Sequence, residues 1–301
     1  MLNIVQSGGV NWVFSTISRN ISQHAGQPNI ITPLPIIDAD TYLAVCPEYA
    51  LSLTPEQARR AACIVHHFEE ADATRTVEAR RHIFDAVHTV VCQSTPVLKQ
   101  LADAGIRAQV IPYGVDMERF TIGMKTDHRR GPVIGVCGRN HATGRKSPLR
   151  IYEIARAMAG QHATFVFCGH EWEGLAEKIN EFGTAELWLG SGKYDTYPAF
   201  YNSLDALLCA SDIEGGPYPP LEALACGVPV VSTPVGHMPD LVAPGTSNVL
   251  LFDFGDVQTA AAAIVYLYRK PPDRAMLRAS VADRSWESVG RKWAALLKGM
   301  A

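Results

Sequence analysis

The chain has 301 residues, 47% of them hydrophobic, which is enough for two domains of ordinary size. Only 19% of residues are charged and the formal net charge is −3, so no basic surplus marks a nucleic-acid binder; the first 115 residues carry eight Lys/Arg against ten Asp/Glu. Seven scattered cysteines with no CxxC pair fit a reducing compartment rather than a disulfide framework. The opening MLNIVQSGG has neither a positive n-region nor a long apolar h-region. No apolar run approaches the roughly 20 residues that cross a bilayer. The expectation is a cytoplasmic protein without an integral membrane segment. Peripheral association with a membrane stays open, although no amphipathic basic helix stands out.

Short apolar runs alternate with helical periodicity, the pattern of βαβ units around parallel sheets. In chain order the first half predicts strands at 2–6, 42–46, 62–66, 87–92 and 107–111. Helices fit at 10–24, 54–61, 73–84 and 95–104, the last opened by Ser94 or Thr95 with Pro96 in its first turn. The stretch 112–131 is polar and turn-rich and reads as a crossing between domains. A second series follows, with strands at 132–138, 163–168, 185–189, 205–209, 228–232 and 248–252. Its helices fall at 147–159, 171–181, 195–203, 219–226, 256–269, 273–283 and 286–298. The expected architecture is α/β: two Rossmann-like doubly wound domains, with ligands at the carboxyl ends of strands in a cleft between them.

Several clusters sit at predicted strand ends. Gly8 and Gly9 follow the first strand and feed a helix, but lack the GxGxxG spacing of a dinucleotide site. Asp38 and Asp40 form an Asp-x-Asp triplet in a proline-flanked loop, read as a turn without metal. His66 and His67 close the strand at 62–66, where one imidazole can meet a sugar hydroxyl or handle a proton; a structural pair is the plain alternative. Arg139, Arg145 and Lys146 follow the strand at 132–138 as a cationic clamp suited to a diphosphate. Glu214, Gly215 and Gly216 lie just past the strand at 205–209, and Glu222 follows eight residues after Glu214, at the start of a helix. A glycine turn beside a helix N-terminus exposes N–H groups to an anion, with two carboxylates at hand for hydroxyls. No GxSxG, HExxH or Walker lysine loop is present.

From 131 to about 260, the segments VIGVCGRN, Lys146, FVFCGH, ELWLGSG, DALLCASDIEGGPYPPLEALACGVPVVSTPVGHMPDLV and NVLLF stand in the order found in GT-B fold retaining glycosyltransferases. The chain resembles family 4 of these enzymes, with its Glu-x7-Glu signature. The tail Ser285-Trp286-Glu287 looks like that family's final helix, which braces the N-terminal domain. Before residue 110 the likeness is thin.

The resemblance implies a small N-terminal acceptor-side domain at 1–115, braced by 286–301, and a nucleotide-sugar domain at 116–285. It implies that Arg139 and Lys146 hold the donor's phosphates, with Arg145 a rival, and that Glu222 binds the ribose. Glu214 would contact the transferred sugar beside the N–H groups of Gly215 and Gly216. A histidine, His66 or His67, would line the opposite wall, and the loop Gly190, Lys193, Tyr194 would receive the base. Retention is ascribed in such enzymes to front-face attack, so no carboxylate nucleophile is sought. The expected co-substrate is a nucleotide-sugar, with no metal and no other cofactor. The acceptor is left as a glycan, lipid-linked, small-molecule or nucleic-acid-base hydroxyl. Two other readings stand beside this one: a nucleotide-sugar-binding protein with little transfer activity, and a transferase acting on a modified nucleic-acid base.

Overall fold

The computed structural model describes residues 1–6, 12–69, 72–125, 129–140 and 142–300. The chain divides into two compact units, Met1–Gly114 with Asp283–Ala301 and Val115–Ala282. Each holds a six-stranded sheet in which every pairing is parallel.

The first unit runs β1 (Leu2–Val5), α1 (Trp12–His24), β2 (Asn29–Thr32), β3 (Thr41–Ala44), α2 (Pro47–Ala50), α3 (Pro55–Ala58), β4 (Ala61–Val65), α4 (Val77–Ala86), β5 (Thr89–Cys92), α5 (Thr95–Asp103) and β6 (Ala108–Val110). The sheet order is β2-β1-β3-β4-β5-β6. Strands β1, β3 and β4 are buried throughout, as a sheet covered on both faces requires. Thr54 and Gln57 form a reciprocal capping box on α3, and the hydroxyls of Thr76 and Ser94 cap α4 and α5. The strand at 29–32 is absent from the sequence-based expectation. Pro28 and Pro33 bracket it, and Ile30 and Ile31 are 45% and 37% exposed at the sheet edge, so neither alternation nor burial marks it.

The second unit runs β7 (Val133–Cys137), α6 (Pro148–Ala157), β8 (Thr164–Cys168), α7 (Glu173–Asn180), β9 (Thr184–Leu187), a 3-10 turn at Tyr194–Thr196, α8 (Tyr197–Asn202), β10 (Ala206–Cys209), α9 (Tyr218–Ala225), β11 (Val230–Ser232), α10 (Met238–Leu241), β12 (Val249–Leu251), α11 (Val257–Arg269) and α12 (Arg274–Ala279). Its order, β12-β11-β10-β7-β8-β9, reverses between β7 and β10, the doubly wound arrangement whose switch point receives ligands. One core of Phe165, Phe167, Trp172, Ile151, Ile154 and Ile264 joins the sheet to α6, α7 and α11.

Helix α13 (Trp286–Met300) packs on α1 in the first unit, burying Trp286, Val289, Trp293 and Leu297 as one helical stripe. No helix among the described residues is long and apolar enough to cross a membrane.

Candidate active site

At the switch point the carboxyl ends of β7 and β10 lie side by side. Gly138 follows β7 with φ 129 and Gly169 follows β8 with φ 138. A Cβ on Gly169 would stand 1.8 Å from the Gly138 carbonyl oxygen, so glycine there lets the two loops touch. The contact is sealed by Asn140 N–H donating to the His170 carbonyl at 3.0 Å and Trp172 Nε1 donating to the Gly138 carbonyl at 2.7 Å. Arg139 runs along this surface, 59% exposed, and its guanidinium pairs with Glu171, Nε to Oε1 at 3.0 Å. Glu171 holds a left-handed φ of 67. Arg139 therefore takes a different partner from the other two cations of the expected clamp.

Those two converge on Glu214. The Lys146 ammonium donates to Glu214 Oε1, Arg145 Nη1 lies 3.9 Å from Oε2, and the Ser211 hydroxyl donates to Oε1 at 2.9 Å. Ser147, the residue after Lys146, takes φ 52 before Pro148 opens α6, a conformation uncommon for serine. Asp212 N–H donates to the Arg145 carbonyl at 2.8 Å, which ties the basic loop to the segment after β10. Burial pushes the Glu214 carboxyl up, but the charges of Lys146 and Arg145 and the hydrogen bonds from Lys146 and Ser211 carry it below its usual range. Burial likewise works against the Lys146 ammonium, and Glu214 more than offsets it, so its pKa is raised. The pair is ionic.

Gly215 and Gly216 form the buried turn that leads into α9. The helix starts at Tyr218, with Pro219 and Pro220 in the first turn. Pro217 at the N-cap, Pro219 and Pro220 together remove three of the four N–H groups that a helix N-terminus presents, leaving that of Tyr218.

Glu222 sits in the second turn of α9 and is 1% exposed. The hydroxyl of Tyr194 donates to Oε1 at 2.6 Å and that of Tyr201 to Oε2 at 2.6 Å. Burial pushes the carboxyl up to about 7, against the pull of these two hydrogen bonds. Tyr194 comes from the loop after β9. In that loop Gly190 packs against Thr196 and Trp188, and the Lys193 carbonyl accepts from Thr196 N–H at 2.9 Å. The Arg119 guanidinium lies over the Tyr194 ring, 4.9 Å from its centre.

In the first unit, His66 Nε2 donates to the Val45 carbonyl at 2.7 Å, leaving Nδ1 to accept from the Tyr113 hydroxyl. Burial lowers its pKa to about 4, so the ring is neutral with both nitrogens engaged. His67 pairs with Glu69 at 2.9 Å. Gly8 and Gly9 lie outside the described residues. Asp38 and Asp40 fall in the loop between β2 and β3, and among the described residues no three His, Cys, Asp or Glu side chains converge as a metal site.

Lys146, Arg145 and Glu214 thus form one cluster, and Glu222 and Tyr194 a second. Sequence reading missed Tyr201, Ser211 and Arg119. Ser211, three residues before a carboxylate in one turn, carried a readable hydrogen-bonding signal; Tyr201 sits in an ordinary amphipathic helix and carried none.

The fold is a two-unit α/β arrangement of GT-B architecture. Residues 131–270 match the family described as Glycosyl transferases group 1. Over 134 residues the chain is 34% identical to the lipopolysaccharide core biosynthesis mannosyltransferase LpsB of Rhizobium meliloti (strain 1021), a match covering 43% of this chain and 35% of that protein. Over 206 residues it is 30% identical to a D-inositol 3-phosphate glycosyltransferase of Geodermatophilus obscurus, covering 60% of this chain and 45% of that protein. The matches thus span less than half the length of these relatives. Among solved structures, Anabaena Alr3699/HepE in complex with UDP-glucose superposes with a TM-score of 0.78 at 15% identity, covering 99% of both chains. The lipopolysaccharide outer core galactosyltransferase WaaB superposes with a TM-score of 0.74 at 12% identity, covering 100% of this chain and 99% of that one.

Proposed function

We propose that this protein is a cytoplasmic, metal-independent, retaining glycosyltransferase of family 4, moving a sugar from a nucleotide-sugar to the hydroxyl of a glycan or cyclitol-like acceptor. The observation that carries the reading is the buried Lys146–Glu214 pair at the switch point of the second sheet, inside the segment that matches the glycosyltransferase family. The acceptor class rests on the two relatives, one named for a lipopolysaccharide core and the other for an inositol phosphate. The seven free cysteines support a reducing compartment.

In this reading the leaving diphosphate gathers charge as the glycosidic bond lengthens. Lys146 and Arg145, held beside it by Glu214, and the exposed guanidinium of Arg139 neutralise that charge. Glu214 accepts from hydroxyls of the transferred sugar. Glu222 accepts from the ribose and fixes where the phosphates lie. The acceptor attacks the face the diphosphate leaves, and a phosphate oxygen takes its proton, so the configuration is retained without a covalent enzyme intermediate.

The test is a thermal-shift panel of UDP-, GDP-, ADP- and dTDP-sugars, followed by transfer assays with the anomeric configuration of the product read by NMR. Glu222→Ala should weaken donor binding and Glu214→Ala should mainly lower kcat. Equal, negligible effects of both changes would overturn the site assignment, and an inverted product would overturn the mechanism.

A further inference from the structure

Glu222 is 1% exposed and each of its carboxylate oxygens accepts from a tyrosine hydroxyl, and the two tyrosines are not equivalent. Tyr201 belongs to α8, is fully buried, and packs edge-on against Phe120 at 5.8 Å and Phe200 at 5.1 Å. Withdrawing it would open the core. Tyr194 belongs to a single 3-10 turn at the end of a loop and is half-buried. Its ring meets Arg119 at 4.9 Å, Phe120 at 5.5 Å and Tyr197 at 5.4 Å. Arg119 is anchored in turn by Asp195 at 3.0 Å and Asp116 at 3.6 Å, acids 90% and 42% exposed, and such surface pairs resist displacement weakly.

We infer that Tyr194 is a specificity-determining residue: its phenol holds, on Oε1 of Glu222, the place that a ribose hydroxyl of the donor takes. This rests on the reading above that Glu222 binds ribose. A ribose hydroxyl exchanges one O–H···O contact for another on the same carboxylate oxygen, so displacement leaves the number of hydrogen bonds unchanged. A nucleotide lacking those hydroxyls has no such exchange. It must either leave Tyr194 in place and lie badly, or leave a buried carboxylate short of a donor, and in both cases it binds more weakly. The site is thereby built to select ribonucleotide donors over deoxyribonucleotide ones. Tyr201, on Oε2, keeps the carboxylate oriented throughout the exchange.

Tyr194→Phe removes the competing hydroxyl and keeps the ring with its Arg119, Phe120 and Tyr197 contacts. The experiment measures Kd at pH 8 by calorimetry for UDP, ADP and GDP and for their 2′,3′-dideoxy analogues, on wild type, Tyr194→Phe and Glu222→Gln. Wild type should prefer the ribonucleotide. Tyr194→Phe should bind it about tenfold more tightly while the dideoxy affinity stays put, since one hydrogen bond to a charged group is no longer exchanged. A residue serving only to pack the loop would move both affinities together. Equal affinity of wild type for ribo- and dideoxynucleotide overturns the inference without using any variant. A Tyr194→Phe protein that binds UDP no better than wild type, while Glu222→Gln still loses affinity, overturns the role of Tyr194 and leaves the ribose assignment standing. Unchanged affinity in Glu222→Gln overturns both.

Discussion

Replacing Glu222 by glutamine substitutes a neutral isostere for a carboxyl whose charge depends on pH within the physiological range. In an unfolded chain the group titrates near 4.5; here burial carries it to about 7. Its folded pKa is raised, so the folded state binds the extra proton between these two values. The group's contribution to stability is fully present below pH 4.5 and is lost as pH rises through 7. At about 1.36 kcal/mol per pH unit the loss amounts to roughly 3 kcal/mol. Below pH 5 wild type and Glu222→Gln should melt together, because both carry a neutral group between Tyr194 and Tyr201. At pH 8 the variant should be the more stable by about 3 kcal/mol, or about 6–12 °C in Tm for a unit of this size. Taking the difference between the two proteins at each pH cancels every other titrating group. The assay is differential scanning calorimetry from pH 4.5 to 8.5. A Tm difference that stays constant across that range would refute the buried, tyrosine-held carboxyl.

Lys146→Met should lower Tm by about 6–20 °C, since it removes the ammonium paired with a buried carboxylate and leaves Arg145 at 3.9 Å and the Ser211 hydroxyl beside it. Adding Glu214→Gln should restore most of the loss, and no rescue in a melting assay would mean that the pair is not ionic. Arg139→Ala should change Tm by less than about 2 °C, its partner Glu171 being half exposed, yet lower kcat on the order of 100-fold or more as one charged donor to the leaving group disappears. A fully active Arg139→Ala enzyme would remove it from the clamp. Transfer activity should be unchanged by EDTA; restoration by Mn²⁺ of an EDTA-silenced enzyme would show metal dependence.

Both parallel sheets were legible because strands buried on two faces write unbroken apolar runs, as in Ala61–Val65 and Thr164–Cys168. The edge strand at Asn29–Thr32 was not, because half of it faces solvent between two prolines. The basic loop and Glu214 were legible because they follow β7 and β10, where a doubly wound sheet presents its functional groups, and Glu222 because it stands in the helix that follows β10. Side-chain partnership within that set was not legible. Nothing in the spacing says that Lys146 turns to Glu214 while Arg139 turns to Glu171; Ser147 beside the first pair and Glu171 in the second take left-handed backbone that the spacing does not announce. Tyr201 as the partner of Glu222 is a long-range packing result, and its helix spacing reads simply as core.

The two glutamates carry opposite pH linkages, and this bears on how the site divides its labour. Both are buried, so desolvation raises both carboxyls. Glu214 meets two cations and is driven below its usual range; its stabilisation is present above the unfolded pKa and is lost as pH falls toward the acid range. Glu222 meets two phenols, which donate hydrogen bonds but bring no positive charge, and desolvation wins. One carboxylate is therefore charged at neutral pH and neutralises the ammonium beside it. The other remains an acceptor that neutral hydroxyls can share without a counter-ion. A diphosphate is drawn to the first cluster only if it competes with Glu214 for Lys146 and Arg145, whereas a ribose enters the second by exchange of one hydroxyl for another. Salt should accordingly weaken binding of a nucleoside diphosphate such as UDP, and leave the preference for ribose over dideoxyribose nearly unchanged, because the diphosphate contact is between charges and the ribose contact is not. A ribose preference that fell with ionic strength in step with total affinity would show that the two clusters do not act separately.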